Sequence, residues 1–81
     1  MKVLKFEASW CGPCKMLSKT LDKITTDKEI EVCDIDEHPE LASQYGVRGV
    51  PTMVMLDDAG KEVSRLVGNK SEREVSSWLS V

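Results

Sequence analysis

Residues 10–15 read Trp10-Cys11-Gly12-Pro13-Cys14-Lys15, and this stretch decides the fold. The two cysteines stand three positions apart, after a short apolar run and before a run with helical spacing. If Cys11 lies at the start of a helix, Cys14 lies about one turn further on, close enough for the sulfurs to bond without backbone movement. A thiol pair at a strand-to-helix junction is typical of redox chemistry. The stretch therefore predicts a βα unit with a redox-active disulfide Cys11–Cys14.

Apolar periodicity on either side of this stretch predicts seven elements, which we assign to a single domain over residues 1–81. The predicted strands cover residues 3–8, 29–35, 51–56 and 61–67, and the predicted helices cover residues 13–26, 38–45 and 71–79. The first two strands are joined by a helical crossover, and the last two form a hairpin. The order β-α-β-α-β-β-α predicts an α/β fold, a four-stranded mixed sheet with helices on its faces.

Composition limits the partners and the compartment. The chain has 81 residues and a net charge of -3, which disfavours binding to the phosphates of nucleic acids. We find no apolar run long enough for a signal peptide or a membrane span, and we expect no membrane association. Three cysteines do not make the disulfide framework of a secreted protein, so we expect a cytoplasmic location. The lysines at 15, 19 and 23 are interpreted as a solvated helix face rather than as a docking site for an acidic partner.

Two motifs together resemble the thioredoxin family. Residues 10–15 are similar to its active-site motif, and residues 45–52, Tyr-Gly-Val-Arg-Gly-Val-Pro-Thr, resemble the segment that carries its cis-proline. Gly60 and Gly68 stand where the family has a hairpin glycine and a glycine near the substrate groove. The resemblance implies a thioredoxin-like fold without the family's N-terminal strand and helix, which leaves a core the size of a glutaredoxin.

The dithiol has distinct expected roles. A helix N-terminus favours a thiolate, so Cys11 should attack a substrate disulfide, and Cys14 should resolve the mixed disulfide. Gly12 and Pro13 shape the helix start, and Pro13 should tune the redox poise. We expect no bound cofactor, because the dithiol itself carries two electrons. We expect no metal either, because a tetrahedral zinc site needs four ligands. Beyond Cys11 and Cys14, only Cys33 and His38 remain as candidate metal ligands. We interpret Cys33 as a thiol of the core and His38 as a surface residue at a helix start.

The resemblance also implies a substrate surface. It places a cis bond between Val50 and Pro51 against the dithiol, with the main chain of Val50 open to an extended substrate. Without the resemblance, a proline at a strand start indicates no more than a free edge. Trp10 is expected as an exposed contact beside the dithiol, with half-buried packing as the alternative, and Gly68 is expected near the same groove.

Two residues depart from the family pattern. Thioredoxins usually have a buried aspartate at the position of Lys5 and a tryptophan at the position of Glu7, and strand alternation places both side chains on one face. We favour a solvated Lys5–Glu7 pair on a thinly covered face. In the alternative, Lys5 or Glu7 replaces the aspartate, as a proton relay or as a charge that tunes the thiols.

Taken with the resemblance, the sequence predicts a monomeric thiol–disulfide oxidoreductase that reduces protein disulfides. The resemblance implies regeneration by an NADPH-dependent thioredoxin reductase. One alternative is a glutaredoxin-like enzyme recycled by the glutathione system. Another is a non-catalytic binding module, which would keep its biological activity after replacement of both Cys11 and Cys14 by serine.

Overall fold

A computed structural model describes residues 1–81 and contains the predicted order of elements. In chain order these are β1 (Lys2–Glu7), α1 (Gly12–Asp22), β2 (Glu29–Asp34), α2 (Pro39–Gln44), β3 (Thr52–Leu56), β4 (Glu62–Val67) and α3 (Glu72–Leu79). The four strands form one sheet in the order β2-β1-β3-β4. Strand β1 is parallel to β2 and antiparallel to β3, and β3 pairs with β4 as an antiparallel hairpin. The predicted mixed sheet is confirmed.

The sheet is covered on both faces, because side chains of a strand alternate between them. On one face, β1 and β3 pack against α1 and α3 through six buried residues: Val3, Leu17, Met53, Met55, Val75 and Leu79. On the other face a second cluster contains Leu4, Phe6, Cys33, Val54 and Leu56, with side chains of α2 packed against it. Every residue of β3 is buried, which is the pattern expected of a central strand covered on both sides.

The first helix is shorter than its sequence pattern predicts. It ends at Asp22, not near residue 26, and Lys23 forms the C-cap by donating its backbone N–H to Thr20. Thr25 and Thr26, which follow Ile24, are β-branched residues that disfavour a helix, and this accounts for the early end of α1. Ile24 still packs against the core, so the apolar spacing correctly predicts its contact with the core but not its conformation.

Local hydrogen bonds and a glycine form the β3–β4 turn and the start of α3. In the β3–β4 hairpin the Asp57 carboxylate accepts the backbone N–H groups of Ala59 and Lys61, each at 2.9 Å. Gly60 has φ +83°, a left-handed conformation that glycine adopts without strain. At the start of α3, the Ser71 hydroxyl accepts the backbone N–H of Glu74 at 3.2 Å and so caps the helix. The longest helix, α1, has 11 residues, and none of the three has the length and apolarity of a membrane span.

Candidate active site

Cys11 is the N-cap residue of α1. Its backbone is extended, with φ -90° and ψ 107°, and its Sγ accepts the backbone N–H of Cys14 at 3.1 Å. The N–H of Cys11 is held by the carbonyl oxygen of Ala8 at 3.1 Å, which connects the helix start to the end of β1. Pro13 stands in the first turn, where its missing N–H costs no hydrogen bond. The Cys11 sulfur therefore lies at the helix N-terminus, close to backbone N–H donors and to the positive end of the helix dipole.

The two cysteines form a disulfide across this first turn, with their Cα atoms 5.3 Å apart. The residues are 4% and 2% exposed and form a small cluster with Ala8. Ile35 and Val50 pack against this cluster from the loop after β2 and from the residue pair before β3. The sulfurs thus lie in an apolar setting.

The segment before β3 lies beside the dithiol. The Val50–Pro51 bond is cis, as predicted, and Val50 contacts the cysteine cluster. Pro51 is buried, and its carbonyl oxygen accepts the backbone N–H of Gly68 at 2.8 Å. Gly68 has φ +87° and therefore ends β4 in a conformation that other residues rarely adopt. Val50 therefore contacts the cysteine cluster, and Gly68 is joined to this segment through its hydrogen bond to Pro51.

Trp10 is 67% exposed, which excludes the half-buried alternative. Its indole Nε1–H donates to Oδ2 of Asp36 at 3.0 Å, so the ring is tied to the loop after β2. An apolar ring beside the disulfide is thereby presented to solvent in a fixed orientation.

Lys5 and Glu7 do pair, but the expectation of a solvated pair is wrong for Lys5. The lysine is only 3% exposed, because α1 covers this face of β1. Its Nζ donates to Oε1 of Glu7 and to Oγ of Ser18, the second at 2.5 Å. The side chain of Glu7 is more accessible to solvent than that of Lys5, with 29% of it exposed. An anionic and a neutral acceptor allow the ammonium group to be buried.

The remaining candidates lie apart from the disulfide. Cys33 is a free, buried core thiol, and burial raises its pKa, which keeps it protonated and unreactive. His38 is exposed at the start of α2, with Nδ1 3.4 Å from Glu40. The lysines at 15, 19 and 23 are exposed. No group of three or more histidine, cysteine or acidic side chains is arranged to hold a metal ion.

Sequence reasoning did not single out Ser18 or Asp36. Ser18 had a usable signal, since it stands four positions after Cys14 and therefore on the same side of α1. Asp36 had no such signal, because nothing in the sequence of its acidic loop indicates which carboxylate accepts the hydrogen bond from Trp10.

A disulfide at a helix N-terminus, beside a cis-proline segment and an exposed tryptophan, defines a thiol–disulfide oxidoreductase with a thioredoxin-type site. The comparisons agree with this class. The thioredoxin family model matches residues 1–81, and the chain belongs to the thioredoxin family. It is 44% identical over 73 residues to a thioredoxin of Chlamydia caviae, covering 86% of this chain and 71% of that protein.

Two further relatives extend the comparison. The SPbeta prophage-derived thioredoxin-like protein YosR of Bacillus subtilis is 41% identical over 70 residues, covering 86% of this chain and 85% of that one. A mutant thioredoxin from Halobacterium salinarum superposes with a TM-score of 0.85 at 39% identity, over 96% of this chain and 70% of that one. The fold is that of the family.

Proposed function

We propose that this protein acts as a reductant of protein disulfides, with Cys11 as the nucleophile and Cys14 as the resolving thiol. The observation that carries the proposal is the position of the Cys11 sulfur at the N-cap of α1, where it accepts a backbone N–H. Donors to sulfur and the positive end of the helix dipole favour the thiolate, the form that attacks disulfides.

The reaction transfers two electrons in two displacements. The Cys11 thiolate attacks one sulfur of the substrate disulfide, forms a mixed disulfide and releases the other substrate sulfur as a thiolate. The Cys14 thiolate then attacks the sulfur of Cys11, closes the Cys11–Cys14 disulfide and releases the second substrate thiol. The substrate gains two electrons and the protein loses them, so this exchange needs no bound cofactor.

The substrate surface is assigned to four residues around the disulfide. Val50 contacts the cysteine cluster, and we propose that its main chain pairs with an extended substrate segment. Pro51 and Gly68 are joined by a backbone hydrogen bond that fixes this part of the surface. The exposed ring of Trp10, next to Cys11 in the chain, supplies apolar contact area. Main-chain pairing gives affinity with little sequence preference, which suits a reductant of many proteins.

The regenerating partner is proposed to be an NADPH-dependent thioredoxin reductase, in a cytoplasmic setting. The Cys-Gly-Pro-Cys motif and the family membership support a thioredoxin-type cycle over a glutathione-dependent one. The redox pair closes within one chain, so we propose that a monomer of one domain is the working unit. A reducing compartment would keep the dithiol available and would leave Cys33 as a thiol.

Reduction of insulin disulfides tests this proposal. The purified protein is supplied with electrons from NADPH and thioredoxin reductase in one reaction and from glutathione in another. We expect rapid insulin reduction with the reductase and slow reduction with glutathione. The Cys11→Ser variant should be inactive with both donors.

A chemical dithiol replaces both donors in the control reaction, because a reductase from another species can fail to recognise this protein. Activity with the chemical dithiol is expected in any case. Its absence would contradict the proposed reductase function, and efficient turnover with glutathione alone would establish the glutaredoxin-like alternative.

A further inference from the structure

We propose that the outer face of α1 is a docking surface for acidic patches on substrate proteins. This basic face consists of Lys15 and Lys19 of α1 and of Lys23 at its C-cap. The inference rests on the reductase function proposed above and names a preferred class of substrate, proteins whose reducible disulfide lies beside carboxylate groups. The sequence alone favours a solvated helix face at these lysines, and their surroundings in the structure favour a docking surface.

The three lysines form one row that begins beside the disulfide. Lys15 follows Cys14 directly, and the other two lysines stand four and eight positions further along the chain. Residues four apart lie on one side of a helix, so the row extends about 12 Å along α1. All three side chains are exposed, and none forms an ion pair with a carboxylate of this chain. Their charges are therefore available to another molecule.

Helix stability accounts for only part of this row. Lys19 lies in the last turn of α1 and Lys23 is its C-cap, where the negative end of the helix dipole favours a cation. Lys15 is the fourth residue of the same helix, which has no acidic residue in its first turn. The positive end of the dipole opposes a cation there, so the dipole does not explain Lys15.

Positive charge is concentrated on this face although the chain as a whole is acidic. The net charge is -3, yet Asp22 is the only acidic residue between Cys11 and Lys23. Asp22 lines the cavity between α1 and β2 together with Ser18, so its carboxylate flanks the basic face rather than pairing with it. The row of lysines therefore keeps an excess of positive charge.

The segment after β2 has the opposite charge. Ile35 of this segment packs against the cysteine cluster. Residues 34–40 contain no lysine or arginine and four carboxylates, those of Asp34, Asp36, Glu37 and Glu40. Helix α1 packs on one face of the sheet, and α2, which follows this segment, packs on the other. An acidic patch is therefore attracted toward α1 and repelled from the segment before α2, which favours one orientation of a bound protein.

Exposed apolar side chains adjoin the basic face. Met16 is 55% exposed and stands three positions before Lys19, so the two side chains are neighbours on the helix surface. The exposed Trp10 directly precedes Cys11. Aromatic and methionine side chains are enriched at surfaces that bind proteins. Because the net charge of the chain disfavours nucleic-acid phosphates, an acidic protein surface is the occupant that fits.

Electrostatic attraction should act on the rate at which a substrate reaches the dithiol. Complementary charges in clefts raise association rates by roughly 10–10³-fold, and salt screens the effect. An open helix face focuses the field less than a cleft does. We therefore expect acidic substrates to react about three- to tenfold faster than basic ones at low ionic strength.

Two disulfide peptides that differ only in charge test the proposal. Each contains an intramolecular disulfide followed by four glutamates or four lysines, which span about 13 Å when extended and so match the row. Mass spectrometry after acid quenching and alkylation measures how fast each peptide oxidises the reduced protein. Each rate is divided by the rate at which a chemical dithiol reduces the same peptide. The acidic peptide should react about fivefold faster at about 10 mM ionic strength, and the two rates should converge at about 1 M.

Paired substitutions locate the preference on α1. Lys19→Gln/Lys23→Gln removes two charges that lie about 8 and 14 Å along the helix from Cys14. Lys15 is left in place, because it lies close enough to the thiols to affect their chemistry. The preference for the acidic peptide should fall to about twofold or less. Lys19→Glu/Lys23→Glu should reverse the preference, a result that a loss of helix stability does not produce.

Control variants separate the basic face from the charge of the whole chain. Lys2→Gln/Lys61→Gln removes the same net charge at the opposite end of the sheet, where Lys2 pairs in register with Leu56, and should keep the wild-type preference. Arg48 is exposed in the segment before β3 and forms no ion pair. Arg48→Gln measures its contribution, which should be smaller than that of the α1 pair.

Equal normalised rates for the acidic and basic peptides at low ionic strength would overturn the proposal. An undiminished preference in Lys19→Gln/Lys23→Gln would overturn it as well, and so would an equally large loss in Arg48→Gln or in the control pair. In each case the charges on α1 would not be the source of the preference. Failure of the reductase function is distinct from these outcomes, since the reduced protein would then not react even with a matched peptide that carries four serines.

Discussion

Cys11 and Cys14 carry the same side chain but occupy different positions of one helical turn. Cys11 precedes the helix, and its sulfur accepts a backbone hydrogen bond, whereas Cys14 lies inside α1 on the side that faces the sheet. Both residues are buried, so the backbone hydrogen bond to the Cys11 sulfur and the helix dipole, which stabilise a negative charge at residue 11, are what distinguish the two thiols. This asymmetry supports a fixed order of attack.

A trapping experiment tests that order at the level of single residues. In Cys14→Ser, attack by Cys11 should still occur, and the mixed disulfide should accumulate to near-stoichiometric yield because no thiol remains to resolve it. Mass spectrometry of the intact protein after incubation with a disulfide-containing peptide measures the adduct. The matched Cys11→Ser variant should yield little adduct. Equal yields in the two variants would contradict the assigned roles.

At the scale of elements, Arg65 connects the last strand to the second helix. Its guanidinium donates to both carboxylate oxygens of Glu62, at 2.6 and 2.7 Å, and to the carbonyl oxygen of Tyr45 at 2.7 Å. Tyr45 is the C-cap residue of α2, where carbonyl groups lack helical partners. One side chain therefore stabilises the end of a helix and a strand at the same time.

The pairing predicts a specific acid dependence. The hydrogen bond from Arg65 holds the pKa of Glu62 below its ordinary value, so the pair stabilises the fold above about pH 4.3, the ordinary pKa of glutamate, and this contribution is lost as pH falls through the lowered value. Glu62→Gln should lower the free energy of unfolding by about 0.5 kcal/mol near neutral pH, because the pair is partly exposed and screened.

Urea unfolding between about pH 3 and pH 7 measures this effect. The difference between wild type and Glu62→Gln should shrink to zero at the acid end of the range. Glu37→Gln, which changes an exposed glutamate elsewhere, provides the control and should show no such convergence. A difference that stayed constant down to the lowest pH would exclude the Arg65 pairing as its source.

The sequence predicts these elements well where one local rule acts alone. Alternation gives β1, helical spacing after Pro13 gives α1 but places its end about four residues too far, and the turn residues around Gly60 give the hairpin. The prediction fails where a tertiary contact competes with the local rule. Burial of Lys5 depends on Ser18, a residue on another element, and no pattern within β1 indicates that partner.

At the scale of the whole molecule, apolar packing and redox chemistry occupy separate clusters. The cluster between the sheet and α1 and α3 contains Leu79, and the cluster at the dithiol contains Ala8, Cys11 and Cys14. A chain of 81 residues is expected to have a free energy of unfolding of roughly 4–12 kcal/mol, so one large core side chain supplies a substantial part of it. Stability and reactivity should therefore respond to different substitutions.

Leu79→Ala tests this separation. The side chain is 3% exposed at the end of α3, and its truncation should cost about 3 kcal/mol through lost burial and an unfilled cavity. For a domain of this size, the Tm should fall by about 15 °C. Thermal unfolding followed by circular dichroism measures the loss, and Ser76→Ala on the exposed side of α3 should change stability by less than about 0.5 kcal/mol. Reactivity of Cys11 should not respond to the same substitution. Well below its Tm, the reduced Leu79→Ala variant should be alkylated at Cys11 at the wild-type rate, because the dithiol cluster does not include Leu79. A slower or faster rate of alkylation at that temperature would mean that the two clusters are coupled through α1.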